Sequence, residues 1–73
     1  MSVIDFHGYR LDEALDRIHE LVGEARVLGV CGEYRFITGH GIIKQEIIKT
    51  LAVYNIEAKE ELGNSGVIRA YIE

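Results

Sequence analysis

Two short stretches carry the residue types from which phosphate chemistry is built. In Ile4-Asp5-Phe6-His7-Gly8, Asp5 and His7 stand two apart on an extended segment, so their side chains point to the same side. A carboxylate beside an imidazole can orient the ring and favour its protonated form, which suits acid–base work or contact with a phosphate. Arg10 adds a phosphate-binding cation to the His7-Gly8 turn. Farther along, Thr38-Gly39-His40-Gly41 precedes a helix-like run. Glycines let backbone N–H groups approach a ligand, and unpaired amides at a helix start add positive potential. An anion there would sit against the amides of Gly41, Ile42 and Ile43, with the Thr38 hydroxyl and the Lys44 ammonium as further contacts. His40 is a second candidate for proton transfer. Each stretch also has a plainer reading, with Asp5 as a backbone cap beside a solvated His7 and the glycines as a strand-to-helix turn. Neither a P-loop nor a dinucleotide fingerprint is present.

The elements that would hold these residues follow from hydrophobic periodicity. Val3 to Phe6 is a short β-prone run. From Leu11, apolar residues recur at Ala14, Leu15, Ile18, Leu21, Val22, Ala25 and Leu28, the spacing of one helix face. Gly29 is the expected end of that helix. Tyr34 to Thr38 predicts a second strand, and Ile42, Ile43, Ile47, Ile48 and Leu51 a second helix. Ile56 to Leu62 predicts a third, more polar strand, Gly63 to Gly66 a four-residue turn, and Val67 to Ile72 a last strand of imperfect alternation. The order is βαβαββ. A strand–helix–strand unit implies a parallel pair with a right-handed crossover, and the final turn implies an antiparallel hairpin. The expected architecture is an α/β two-layer sandwich, a mixed four-stranded sheet with two helices. In it both motifs fall at carboxyl ends of neighbouring parallel strands, where ligands of α/β folds usually bind.

The chain has 73 residues, enough for one domain and one core, and 48% of them are hydrophobic, which argues against disorder. No apolar run is long enough to span a bilayer, and no signal-peptide pattern precedes the first strand. The single cysteine, Cys31, can form neither an intrachain disulfide nor a multi-cysteine zinc site. It is expected to be a partly buried filler in a reducing, cytoplasmic setting. His19 is expected at the surface of the first helix. Tyr9 is the better placed of two tyrosines that could stack on a base, and Tyr34 is expected to be core. The net charge is −4, unlike the basic surface of a protein that grips many phosphates.

Taken together, the two motifs and their order resemble the Smr (small MutS-related) domain family. Ile4-Asp5-Phe6-His7-Gly8 is similar to that family's Leu-Asp-Leu-His-Gly motif, and Thr38-Gly39-His40-Gly41 matches its Thr-Gly-x-Gly loop. Gly63-Asn64-Ser65-Gly66-Val67 is similar to the glycine-rich turn before its last strand. The resemblance spans essentially residues 1–73. It implies a fold similar to the C-terminal domain of translation initiation factor three, and an association with nucleic acid that includes endonuclease or nicking activity. It also implies that Asp5 and His7 form the acid–base or phosphate-positioning pair, and that Thr38, Gly39 and Gly41 form the phosphate loop, with His40 in its variable position.

The leading expectation is therefore a nucleic-acid-binding domain that nicks DNA or RNA. His7 would serve as acid or base, His40 as a second proton-transfer group, and the loop amides with Arg10 or Lys44 as charge stabilisers. No metal site is assigned, and a divalent cation is left open as a cofactor. A non-catalytic module that docks nucleic acid or the ribosome is the alternative, favoured by the acidic balance and by the immediate start of the helix after Gly41. An adaptor binding protein through the acidic face of the first helix is a third class. A free-standing domain and a part of a larger protein or complex both fit.

Overall fold

The apolar stripe that begins at Leu11 becomes the longest element of the chain. The computed structural model describes residues 1–73 and has the order β1 (Ser2–Asp5), α1 (Leu11–Leu28), β2 (Gly32–Ile37), α2 (Ile42–Val53), β3 (Ala58–Glu61), β4 (Asn64–Ile72). At the start of α1 the Arg10 backbone N–H donates to Glu13 Oε1 at 2.9 Å, and Asp12 and Glu13 answer the positive end of the helix dipole. Gly29 closes the helix in the left-handed conformation, its amide bonded to the Ala25 carbonyl.

The sheet has the strand order β1-β2-β4-β3. β1 runs parallel to β2, while β4 is antiparallel to both β2 and β3. Phe36, Ile68, Ala70 and Ile72 alternate along β2 and β4 and meet Ile18, Leu21 and Val22 of α1 and Ile47 and Leu51 of α2 in one core. Both helices therefore cover the same face, as a pair of right-handed crossovers in one direction requires. The result is the expected two-layer α/β sandwich.

The other face carries no helix, and its side chains pair across the strands. Arg35 and Arg69 are direct register partners, an arrangement that would repel if left alone. Arg69 instead reaches Glu33 at 2.5 Å. Arg35 spans β4 to make two parallel bonds with Glu61, Nε to Oε1 at 2.9 Å and Nη2 to Oε2 at 2.8 Å. Val67 is buried on this face. The guanidinium hydrogen bonds hold the Glu61 carboxyl below the usual carboxylate range and push Arg35 up in return.

The last hairpin differs from the sequence expectation. The turn is Leu62-Gly63, and β4 starts at Asn64, so residues 64–66 are strand. A register shift between Glu60 and Glu61 accommodates the tighter turn. The apparent imperfection of the last strand disappears, because Ile68, Ala70 and Ile72 share the helix face while Val67 belongs to the opposite one. Ile56 lies before β3, where its buried side chain closes the core. Cys31 is exposed rather than a partly buried filler, since it falls in the connection between Gly29 and β2. Tyr34 packs half-buried against the core, and His19 is exposed and shares a hydrogen bond with Tyr54, the residue that ends α2.

Candidate phosphate-binding site at the carboxyl end of the sheet

Parallel pairing decides which residues can meet. Asp5 and Ile37 are register partners, so the chain leaves β1 and β2 at the same end of the sheet, and α1 and α2 both start there. β3 runs in the same direction as β2, which brings the β3–β4 turn to that end as well. Three loops with different sequence signals therefore share one edge.

Between the first two lies a small depression of about 180 Å3, lined by Asp5, His7, Ile37, Thr38 and Gly39. A wider groove of about 340 Å3 crosses the bare face beside Lys59, Glu61, Arg69 and Tyr71. Its charges are already paired with one another or with Glu57, Glu33 and Arg35, and neither histidine reaches it.

The first motif turns sharply after β1. Gly8 has φ +80°, and the Tyr9 amide closes the turn onto the Phe6 carbonyl at 3.0 Å. Asp5 does not orient the imidazole of His7. Its Oδ1 accepts the His7 backbone N–H at 2.9 Å, because an aspartate at a strand end competes for the next free amide. The His7 ring is exposed and has no hydrogen-bond partner in the protein. Tyr9 packs edge-on against Phe6 with centroids 5.0 Å apart, its outer side partly open to solvent. Arg10 is exposed and pairs with Asp12 at 3.1 Å. A pair that open to water is weak, so the guanidinium stays available.

The second motif is braced from behind. The amides of Thr38 and Gly39 both donate to the Gly66 carbonyl at 2.9 Å. The Thr38 hydroxyl is shared between the carbonyls of Gly39 at 3.1 Å and Gly66 at 3.3 Å. These groups hold the loop, so the Gly39 amide and the Thr38 hydroxyl proton are not the free donors that the sequence suggested. Gly39 has φ +70°, a conformation that costs other residues about 1–2 kcal/mol. His40 Nε2 lies 2.8 Å from Ser65 Oγ.

The two helix starts differ in a way that selects one of them for an anion. At α1, acids already occupy the first turn and Glu13 takes an orphan amide. At α2 the cap is Gly41, without a capping side chain, and no acid stands in the first turn. The amides of Ile42 and Ile43 have no acceptor in the protein. Lys44 does not reinforce them. Its ammonium is tied to Glu60 on β3 and its side chain is largely covered, because Glu60 points to the helix face where α2 passes. No cluster of three or more His, Cys, Asp or Glu side chains stands close enough to cage a metal.

Of the residues singled out in the sequence, Asp5, His7, Thr38 and Gly39 meet around the depression. Gly8 and Gly41 lie in its two loops, Arg10 is the cap residue of α1 at the same sheet end, and His40 lies one residue beyond the lining. Ser65 and Gly66 were assigned only to a turn. The available signal was a glycine inside a strand run, which often marks close approach of another backbone: a β-carbon at Gly66 would lie 3.2 Å from His40 Cε1 and 3.6 Å from Gly39 Cα. No family model, curated protein or solved structure matches the chain.

Proposed function

We propose that the chain is an Smr-like domain that binds the phosphodiester backbone of nucleic acid at the β1 and β2 ends and nicks it there. The observation that carries this reading is the convergence of His7, a braced glycine loop and the uncapped amides of α2 on one exposed edge. A phosphate against the Ile42 and Ile43 amides would gain the helix-end potential and two directed hydrogen bonds. The amides and Arg10 would take up the charge that develops on the phosphorane. The His7 ring, free to turn, would accept the proton of the attacking water or hydroxyl, or return one to the leaving oxygen. Asp5, by fixing the His7 backbone, sets where that ring starts from.

The place of the site at the sheet edge suits an extended strand or an exposed loop, whose backbone can lie across that edge. Tyr9, two residues after His7 and partly exposed, offers a ring on which a base could stack. DNA and RNA present the same phosphodiester to these groups.

A binding module without catalysis is the second reading, and one observation favours it. Lys44 and the arginines of the bare face are each engaged by a carboxylate, leaving few free cations, in keeping with the net charge of −4. Incubation with supercoiled plasmid and labelled single-stranded RNA, with EDTA or added magnesium or manganese, separates the two. Nicking by wild type and its loss in His7→Ala, at an unchanged melting temperature, is the expected result. Undiminished nicking by His7→Ala would remove His7 from the mechanism. A low-salt gel shift without product would favour the binding module.

A further inference from the structure

Of the two histidines at this sheet edge, the fold holds His40, and the residues that hold it come from β4. Its Nε2 is 2.8 Å from Ser65 Oγ. Its Cε1 edge rests over Gly66, where any β-carbon would come within 3.2 Å. The adjoining backbone is fastened to the same place, since the Thr38 and Gly39 amides both bond to the Gly66 carbonyl. With Nε2 occupied, Nδ1 is the one ring nitrogen of His40 without a partner in the protein. His7 shows none of this; only its backbone is bonded.

We propose that the Ser65 hydroxyl donates to His40 Nε2 and, as a positioning residue, holds the ring as its Nδ1–H tautomer, so that Nδ1–H serves as a hydrogen-bond donor to a phosphate oxygen bound at the start of α2. The inference rests on the phosphate-binding reading above. A serine hydroxyl that donates to Nε2 requires the ring proton to sit on Nδ1, and a ring locked in that state needs no reorganisation when an anion arrives. Protonated His40 donates from both nitrogens, and Ser65 then accepts. The two histidines thereby divide the work: His40 is a fixed donor to phosphate, and His7 is the mobile ring for proton transfer. Gly66 belongs to the same device, because it leaves the space that the His40 ring fills.

Nitrogen-15 NMR of the imidazoles tests this without any reaction. In the wild type, His40 is expected as the Nδ1–H tautomer below saturation with acid, while His7 shows an average of both forms. Titration with inorganic phosphate at constant ionic strength should shift His40 Nδ1 together with the Ile42 and Ile43 amides. Ser65→Ala should average the His40 tautomer and weaken phosphate binding about tenfold, the order of one hydrogen bond to a charged group. Its His7 signals should stay unchanged, and Ser65→Thr, which keeps the hydroxyl, should restore both His40 properties. An averaged His40 tautomer in wild type, or an unchanged one in Ser65→Ala, overturns the proposal. A phosphate response at the α2 amides but not at Nδ1 overturns it while leaving the phosphate site standing. No response at either would remove the phosphate site, and this inference with it.

Discussion

Replacing Gly41 with aspartate should make the protein more stable and less able to bind its ligand. Gly41 is the cap of α2 with φ −90° and ψ −159°, a backbone that any residue adopts, and a β-carbon there meets nothing within 4 Å. Aspartate is a better cap than glycine by a few tenths of a kcal/mol. Its charge at the helix start adds about 0.3–1 kcal/mol, and the loss of glycine's freedom in the unfolded chain adds about 0.4–1 kcal/mol. The sum is about 1–2 kcal/mol, which for a domain of this size raises the melting temperature by roughly 4 °C or more. The same carboxylate accepts from the amide of Ile43 or Lys44, the second and third residues of the helix, and repels a phosphate. At about 4 Å the repulsion is on the order of 1 kcal/mol in water and about 4 kcal/mol in a partly desolvated site, so affinity should fall by about fivefold at least. Circular-dichroism melts and low-salt fluorescence anisotropy with a short oligonucleotide give the two readings, and Gly41→Ser should fall between wild type and Gly41→Asp in binding. A lowered melting temperature would refute the cap geometry. A raised one with unchanged affinity would refute the assignment of the phosphate to this helix start.

Two further outcomes concern the scaffold. Ile47→Ala, at a fully buried position of α2, should cost about 2–5 kcal/mol of a total of about 4–11 kcal/mol for a chain this long. The exposed Val53→Ala should stay within about 0.5 kcal/mol, and urea melts that failed to separate the two would contradict the packing described. Glu61→Gln should lower stability at neutral pH. Because the folded carboxyl is held below its ordinary range, its contribution is present in full above the unfolded value of about 4.3. It is lost as the pH falls through the depressed folded one. Melting temperatures of variant and wild type should therefore converge in acid, and a constant gap down to pH 2 would show that the Arg35 pairing is not its source.

Helix periodicity carried most of the fold. The stripe from Leu11 to Leu28 and its glycine stop were legible because a long amphipathic helix repeats its signal many times. β3 and β4 were less so, since the hairpin turn depends on which strand residues pair, and Asn64-Ser65-Gly66 has the composition of a loop. Sequence order placed the two motifs at one sheet edge. It could not tell that Asp5 turns to a backbone amide, that Lys44 is taken by Glu60 sixteen residues later, or that Thr38 spends its hydroxyl on the loop. Those outcomes depend on neighbours that only the folded register supplies. Ser65 escaped notice for the same reason, being distant in sequence from the histidine it contacts.

The position of β4 in the sheet has a consequence for assembly. It follows the other three strands in the chain, yet it lies between β2 and β3, and β3 has no sheet neighbour other than β4. Emerging from a ribosome in order, β1, α1 and β2 can join as a parallel unit and α2 can pack on α1, but β3 must wait for residues 64–72 before it has a strand to pair with. The same residues supply the Gly66 carbonyl that braces the loop before α2 and the hydroxyl beside His40. A nascent or C-terminally clipped chain would hence lack the ordered loop, and competence at the edge would arrive in one step with the closing of the sheet.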